Sequence, residues 1–181
     1  MMVFFENDRC VKCDRPLGFL PEKLDLTTLE NASGDQWRVA GKGASEKTYR
    51  ICANNKQHRI CNWLVPADDP NAWCLACRLN KIIPDLTQAA NVARWAKLEL
   101  AKRRCIYTFL NLGLPISNES DSKQPALKFK FLEDMPDSAV KTGHENGVIT
   151  INVAEADSDE RERRRVSLHE PYRTLDRKSV V

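Results

Sequence analysis

The sequence predicts an α+β chain: a small, turn-rich cysteine module, then a long amphipathic helix, then a short strand-strand-helix segment. Three observations predict it. Two Cys-x-x-Cys knuckles enclose two further cysteines, apolar residues recur at helical spacing from about Thr87 to Leu112, and two apolar runs follow residue 126.

The module comes first. Cys10-x-x-Cys13 and Cys74-x-x-Cys77 flank Cys52 and Cys61. Soft thiolates favour Zn²⁺, and a two-residue gap lets both sulfurs of a tight turn reach one tetrahedral ion. Six cysteines fill one four-ligand site and leave two over. The favoured arrangement is the outer one, Cys10, Cys13, Cys74 and Cys77. The alternative joins Cys10 and Cys13 to Cys52 and Cys61 and leaves Cys74 and Cys77 as the unpaired knuckle. An all-thiolate site has no open position for water or substrate, so its zinc is structural and supplies no catalytic residue. His58 lies between Cys52 and Cys61, where a solvated loop histidine is preferred to a ligand. Around the cysteines, Pro16, Gly18, Pro21, Gly34, Gly41-x-Gly43, Asn54-Asn55 and Pro66 to Pro70 read as turns. The metal is therefore expected to replace a hydrophobic core that so short and polar a segment could not assemble. Leu24, Leu26 and Leu29 fit either a short helix or a strand.

The helix is the plainest element. Val92, Trp95, Leu98, Ala101, Cys105, Phe109 and Leu112 recur at steps of three and four. Asp85 or Thr87 offers an N-cap, Glu99 can pair with Lys102 or Arg103, and Gly113 followed by Pro115 supplies a stop. Cys105 falls on the apolar stripe and reads as a buried small hydrophobe. Residues 116–126 form a polar linker. Beyond it Leu127, Phe129 and Phe131 alternate as in a half-buried strand, and Val148 to Val153 reads as a second strand after the Asn146-Gly147 turn. Asp157 and Ser158 introduce the charged run Asp159 to Val166, acids leading and arginines trailing as the helix dipole prefers, and Pro171 should end that helix.

Other candidate chemistry yields to plainer readings. His169-Glu170 does not start a His-Glu-x-x-His helix, because the fourth residue beyond His169 is Arg173 and Pro171 interrupts. His144 reads as a loop residue, and Glu155 and Asp157 as capping or solvated carboxylates. Arg161, Arg163, Arg164 and Arg165 interleave with acids and read as a solvated face. Residues 1–80 carry 11 basic and 10 acidic side chains, which disfavours nucleic acid as a partner. A mean hydropathy of -0.49 and the lack of any long apolar stretch disfavour a membrane span. The start, Met1 to Asp8, lacks the features of a signal peptide, which points to a reducing cytoplasm and to metal ligation over disulfides.

The wording of the motifs is more specific than their chemistry. Phe4-Phe5-Glu-Asn-Asp-Arg-Cys10-Val-Lys-Cys13 through Phe19, Cys61-Asn-Trp63, and Cys74-Leu-Ala-Cys77-Arg-Leu-Asn80 resemble a bacterial family of zinc-binding metallopeptidases that begin with a zinc ribbon. Trp95 to Arg104, Leu112 to Pro115, Thr142 to Asp157 and Glu170 to Leu175 continue the resemblance. It implies a further Cys-x-x-Cys before Phe4, where this chain has Met1-Met2-Val3. It also implies a later His-Glu-x-x-His helix holding a catalytic zinc, with peptides or proteins as substrates. With eight ligands in alternating pairs, the absent knuckle would have joined Cys52 and Cys61. The implied organisation is a zinc-ribbon module over 1–83, the helix over 84–115, the linker, and the truncated start of a metallopeptidase domain over 127–181. Asp176 to Val181 can be encoded by a stretch resembling a common sequencing adapter, so the reading frame is expected to run off a gene fragment. The chain alone is expected to be inactive. The alternative is a non-catalytic zinc-ribbon adaptor for protein or nucleic acid.

Overall fold

The computed structural model describes residues 3–41, 47–116 and 126–167. Helix and strand occur in similar proportion, as an α+β chain requires. The chain divides into two compact units, residues 1–78 and residues 79–181.

The first unit is an antiparallel meander of five strands, β1 (Leu17–Leu20), β2 (Asp25–Ser33), β3 (Gln36–Val39), β4 (Tyr49–Ile51) and β5 (Leu64–Pro66), in that spatial order. Of the leucines that fitted either helix or strand, Leu26 and Leu29 lie in β2. Leu24 itself, at φ 51°, belongs to the turn before it. Gly34, at φ +55°, turns β2 into β3 in a conformation that other residues resist. The sheet also meets itself: Phe19 of β1 bridges Trp63, beside β5, in parallel. This contact creates what the sequence appeared too polar to build. Leu20, Leu29, Tyr49 and Leu64 form a buried cluster with Trp37, Val39 and Ile51 packed against it. Phe5, Phe19 and Trp63 add an aromatic group with centroids 4.6 to 6.3 Å apart. The expectation that metal stands in for a core is corrected: the unit has a core, assembled from one or two residues of each of five strands and so invisible as a local run.

The second unit sets helix α2 (Ala89–Asn111) with a four-stranded sheet of β6 (Asn80–Ile82), β7 (Lys128–Leu132), β8 (Gly143–Glu145) and β9 (Val148–Asn152). The order is β6-β7-β9-β8, parallel except for the β8–β9 hairpin. Both strands expected from alternation are present, with Phe129 and Phe131 buried. Asn146 and Gly147 turn the hairpin with φ of 48° and 79°. His144, expected in a loop, lies in β8.

Helix α2 departs from expectation at both ends and in its middle. Its N-cap is Gln88, without a side-chain bond. Asp85 instead accepts from Thr87 N and Oγ1 at 3.0 and 2.7 Å, an Asx turn that leads into the helix. Gly113 adopts φ +67° just past the C-cap, but Leu112, placed on the stripe, is exposed. Glu99 and Lys102, expected to pair, do so in a buried setting: Lys102 Nζ lies 2.7 Å from Glu99 Oε1 and 5.5 and 5.7 Å from the rings of Phe129 and Phe131. Asn80 Nδ2 donates to Glu99 at 2.7 Å, and Lys102 also donates to Asn80. The expected pairing with Lys102 is present, and whereas i,i+3 charges usually face water, here a mixed sheet roofs them.

Helix α3 (Ser158–Ser167) buries no residue, as a solvated charged helix should. Arg163 and Arg164 both bond Glu160, Arg165 bonds Glu162, and Arg164 also reaches Asp134. Glu155 accepts from Thr142 at 2.7 Å and Asp157 pairs with Arg94 at 2.7 Å, so both carboxylates hold structure. His169, Pro171, Arg173 and most of the expected linker lie outside the described residues.

Candidate metal centre

Four of the six cysteines in question converge. Cys52, Cys61, Cys74 and Cys77 are all buried, and their sulfurs lie within 4.8 Å of one another. The favoured outer set is not what gathers; the inner pair joins the second knuckle instead. Spacing could not reveal this, because the folding of β4 and β5 decides which knuckle Cys52 and Cys61 meet. Cys52 directly follows β4, helix α1 (Ala53–His58) carries the chain round, and Cys61 sits before β5. The turn is closed by Arg59 in the left-handed region at φ 56° and by Asn55 Nδ2 donating to Cys61 O. Pairing β4 with β5 therefore fixes both sulfurs.

The second knuckle is aimed by a loop whose polar residues the sequence reading passed over. Asp69 Oδ1 accepts from Asn71 N at 2.9 Å, and Asn71 Oδ1 from Trp73 N at 3.0 Å. Arg78 spans the loop to Asp69 Oδ2 at 2.6 Å and Trp73 O at 3.0 Å, and Arg50 of β4 donates to Asp69 O and Asn71 O. The Arg78 guanidinium holds the Asp69 carboxyl below its usual range. Arg78 N donates to Cys74 O, closing the knuckle as Asp14 N donating to Cys10 O closes the first.

The geometry suits a soft tetrahedral cation. Zn–S bonds of about 2.3 Å imply sulfur–sulfur edges of about 3.8 Å, and Cys61 Sγ lies 3.7 Å from Cys74 Sγ. Backbone N–H groups already face the sulfurs: Trp63 N is 3.4 Å from Cys61 Sγ and Cys74 N is 3.4 Å from Cys52 Sγ. Such donors favour thiolate. Burial pushes the Cys61 and Cys74 thiols up, while the hydrogen bond from Cys61 draws Cys52 down. Four buried thiols cannot all ionise without a cation among them, and a divalent metal supplies that charge. Among the described residues no disulfide is formed.

Cys10 and Cys13 stand apart from this cluster. Cys10 is buried and Cys13 exposed. Hydrogen bonds from the backbone of Lys12 and Cys13 lower the Cys10 thiol. His58 ends α1 and is not in the cluster, and Cys105 lies buried on α2, its thiol pushed up by desolvation.

A curled antiparallel sheet whose last loops bring four thiols together defines a zinc-ribbon protein. Comparison with known families agrees. Residues 1–88 match a zinc-ribbon domain, and residues 91–176 match the family described as "Putative zinc-binding metallo-peptidase". The chain thus carries a zinc-ribbon domain followed by a domain of that metallopeptidase family. Uncharacterized proteins of Mycobacterium bovis (Mb2598c) and Mycobacterium tuberculosis (Rv2568c) are each 37% identical over 171 residues, 94% of this chain. The chain spans 46% of the length of these relatives. No solved structure matches it. Among the described residues, no helix is long and apolar enough to cross a membrane.

Proposed function

We propose that Cys52, Cys61, Cys74 and Cys77 hold one structural Zn²⁺ that fixes the fold of the first unit, and that this unit precedes a peptidase whose catalytic zinc is not bound by these residues. The carrying observation is the closure of the site: four buried sulfurs within 4.8 Å of one another supply a full set of four protein ligands and leave no position for a water to be activated. The sequence contains no His-Glu-x-x-His, the motif whose two histidines and glutamate such chemistry uses. Peptide hydrolysis belongs, on this reading, to the longer proteins of the family. Cys10 and Cys13 offer half of a second thiolate site.

Native mass spectrometry tests the assignment. The folded chain should carry one tightly held zinc that Cys52→Ala and Cys74→Ala remove and Cys10→Ala leaves in place. Zinc lost with Cys10→Ala but kept with Cys52→Ala would restore the outer set. Peptide cleavage by the zinc-loaded chain, abolished by a substitution within it, would contradict the inactive reading.

A further inference from the structure

The first knuckle is built on the plan of the second but supplies only two ligands. Asp14 N donates to Cys10 O at 2.8 Å as Arg78 N donates to Cys74 O at 3.0 Å, and Cys10 N donates to Arg15 O at 2.9 Å. Asp14, at φ 54°, turns the chain back, and Arg9 bridges Pro16 across the neck of the turn. The backbone N–H groups of Lys12 and Cys13 reach the Cys10 sulfur, and the Cys13 thiol lies within hydrogen-bond range of it. Backbone donors aimed at a sulfur favour its thiolate, the form that binds metal. Two thiolates fill only half of a tetrahedral zinc site. Among the described residues no third His, Cys, Asp or Glu joins this pair. A filled thiolate site therefore needs two sulfurs from elsewhere.

The surface of the knuckle says which source fits. Val11, between the two cysteines, is 81% exposed, more than any other large apolar side chain among the described residues, and Cys13 is exposed as well. Arg9 is paired with Asp14 at 3.0 Å, whereas Lys12 and Arg15, both exposed, have no carboxylate partner among the described residues. Four thiolates around one Zn²⁺ leave the centre with an excess of negative charge. A second copy of the same knuckle brings both the missing sulfurs and further cations to face it. We propose that one Zn²⁺ joins two copies of the chain through Cys10 and Cys13 of each, with Val11 of each copy covered by the other and Lys12 and Arg15 of both balancing the centre. Such a contact is symmetric, since the same patch meets itself. The proposal rests on the reading that Cys52, Cys61, Cys74 and Cys77 hold an ion of their own, which leaves Cys10 and Cys13 available for another.

The test titrates zinc into the full chain in a non-chelating reductant and follows it by native mass spectrometry and sedimentation velocity. With one zinc per chain the protein should be monomeric. A further half equivalent should produce a dimer of two chains holding three zinc ions, and its population should rise with protein concentration. Cys13→Ser, at an exposed position, should remain a monomer with one zinc. With cobalt as the probe in place of zinc, the tetrahedral thiolate absorption of that variant should saturate about a third lower per chain, as the loss of one shared site in three requires. Val11→Asp, which keeps both thiols and sets a carboxylate beside the centre in each copy, should raise the dimer dissociation constant roughly 10-fold or more. The proposal is overturned, with the four-thiol centre left standing, by a monomer that takes up a second zinc or by a chain that stays monomeric with one zinc at every zinc concentration. A dimer that survives Cys13→Ser, or that is unmoved by Val11→Asp, overturns it equally. Loss of the monomer's single zinc in Cys13→Ser would overturn both readings.

Discussion

The two units bury polar chemistry in opposite ways. The first encloses four thiols that need a cation from outside the chain; the second encloses Glu99 and Lys102, an acid and a base that neutralise each other. A self-neutralised pair is indifferent to metal and to thiol oxidation. A thiol cluster is sensitive to both. One chain therefore holds one conditional and one unconditional core, and the difference can be broken experimentally from either side.

Chelation should give the largest effect. Structural zinc contributes on the order of 10–16 kcal/mol in small zinc domains, as much as or more than the net stability of a whole domain. Stripping zinc, or Cys61→Ala, should unfold the first unit and collapse its tryptophan and tyrosine signals. The helical circular dichroism of α2 should persist. Loss of both together would erase the contrast.

Lys102→Met attacks the other core. It leaves Glu99 charged and buried beneath the sheet, at a cost of about 3–5 kcal/mol. Thermal melting followed at the helix band should show it, with zinc stoichiometry unchanged. Adding Glu99→Leu should recover most of the loss, because replacing both partners of a buried pair by apolar groups is often neutral. Failure of that rescue would mean that Asn80, bonded to both, is the true anchor.

A smaller effect is expected at Gly18. An added Cβ would lie 2.7 Å from Leu64 Cγ, where β1 approaches β5. Gly18→Ala should cost about 1–3 kcal/mol by overpacking. Denaturant melts of Gly18→Ala with and without Leu64→Ala should show non-additivity. Simple additivity would place β1 farther from β5 than described.

The smallest effect is a pH dependence in α3. Arg163 and Arg164 pull Glu160 down to about 2 from an ordinary value of 4.5. A depressed carboxyl contributes stability that is present above about 4.5 and is lost as pH falls towards about 2. Helix α3 should fray over that window, read by amide exchange, and Glu160→Gln should fray it at neutral pH as well. High salt should mimic the change, since these pairs lie near water.

Much of this architecture was legible in the sequence. The helix, β7, β9 and the Asn146-Gly147 turn follow from periodicity and turn chemistry, which are local. The thiolate chemistry is legible from residue type. What was not legible depends on pairing across the chain: which cysteines meet, that β1 curls onto β5, that β6 joins β7 in parallel, and that Glu99 faces inward. Cys-x-x-Cys states that two sulfurs share an ion without stating whose other two complete it. The Asp69, Arg50 and Arg78 network gave no periodic signal, although the Asp-Asp-Pro-Asn run of residues 68–71 could have flagged a loop dense in side-chain bonds.

All four convergent thiols fall between Cys52 and Cys77, so the chain that must be closed to bring them together is short and its closure entropy small. The docking of β1 on β5 joins far more distant segments. A folding order follows. Zinc should capture β4, α1, β5 and the second knuckle early, and Phe19 should then find Trp63 on a surface already made. Refolding in excess zinc should therefore be fast and limited by arrival of the N-terminal hairpin. Under zinc limitation the slow step should become metal capture, with a rate that tracks the concentration of free metal.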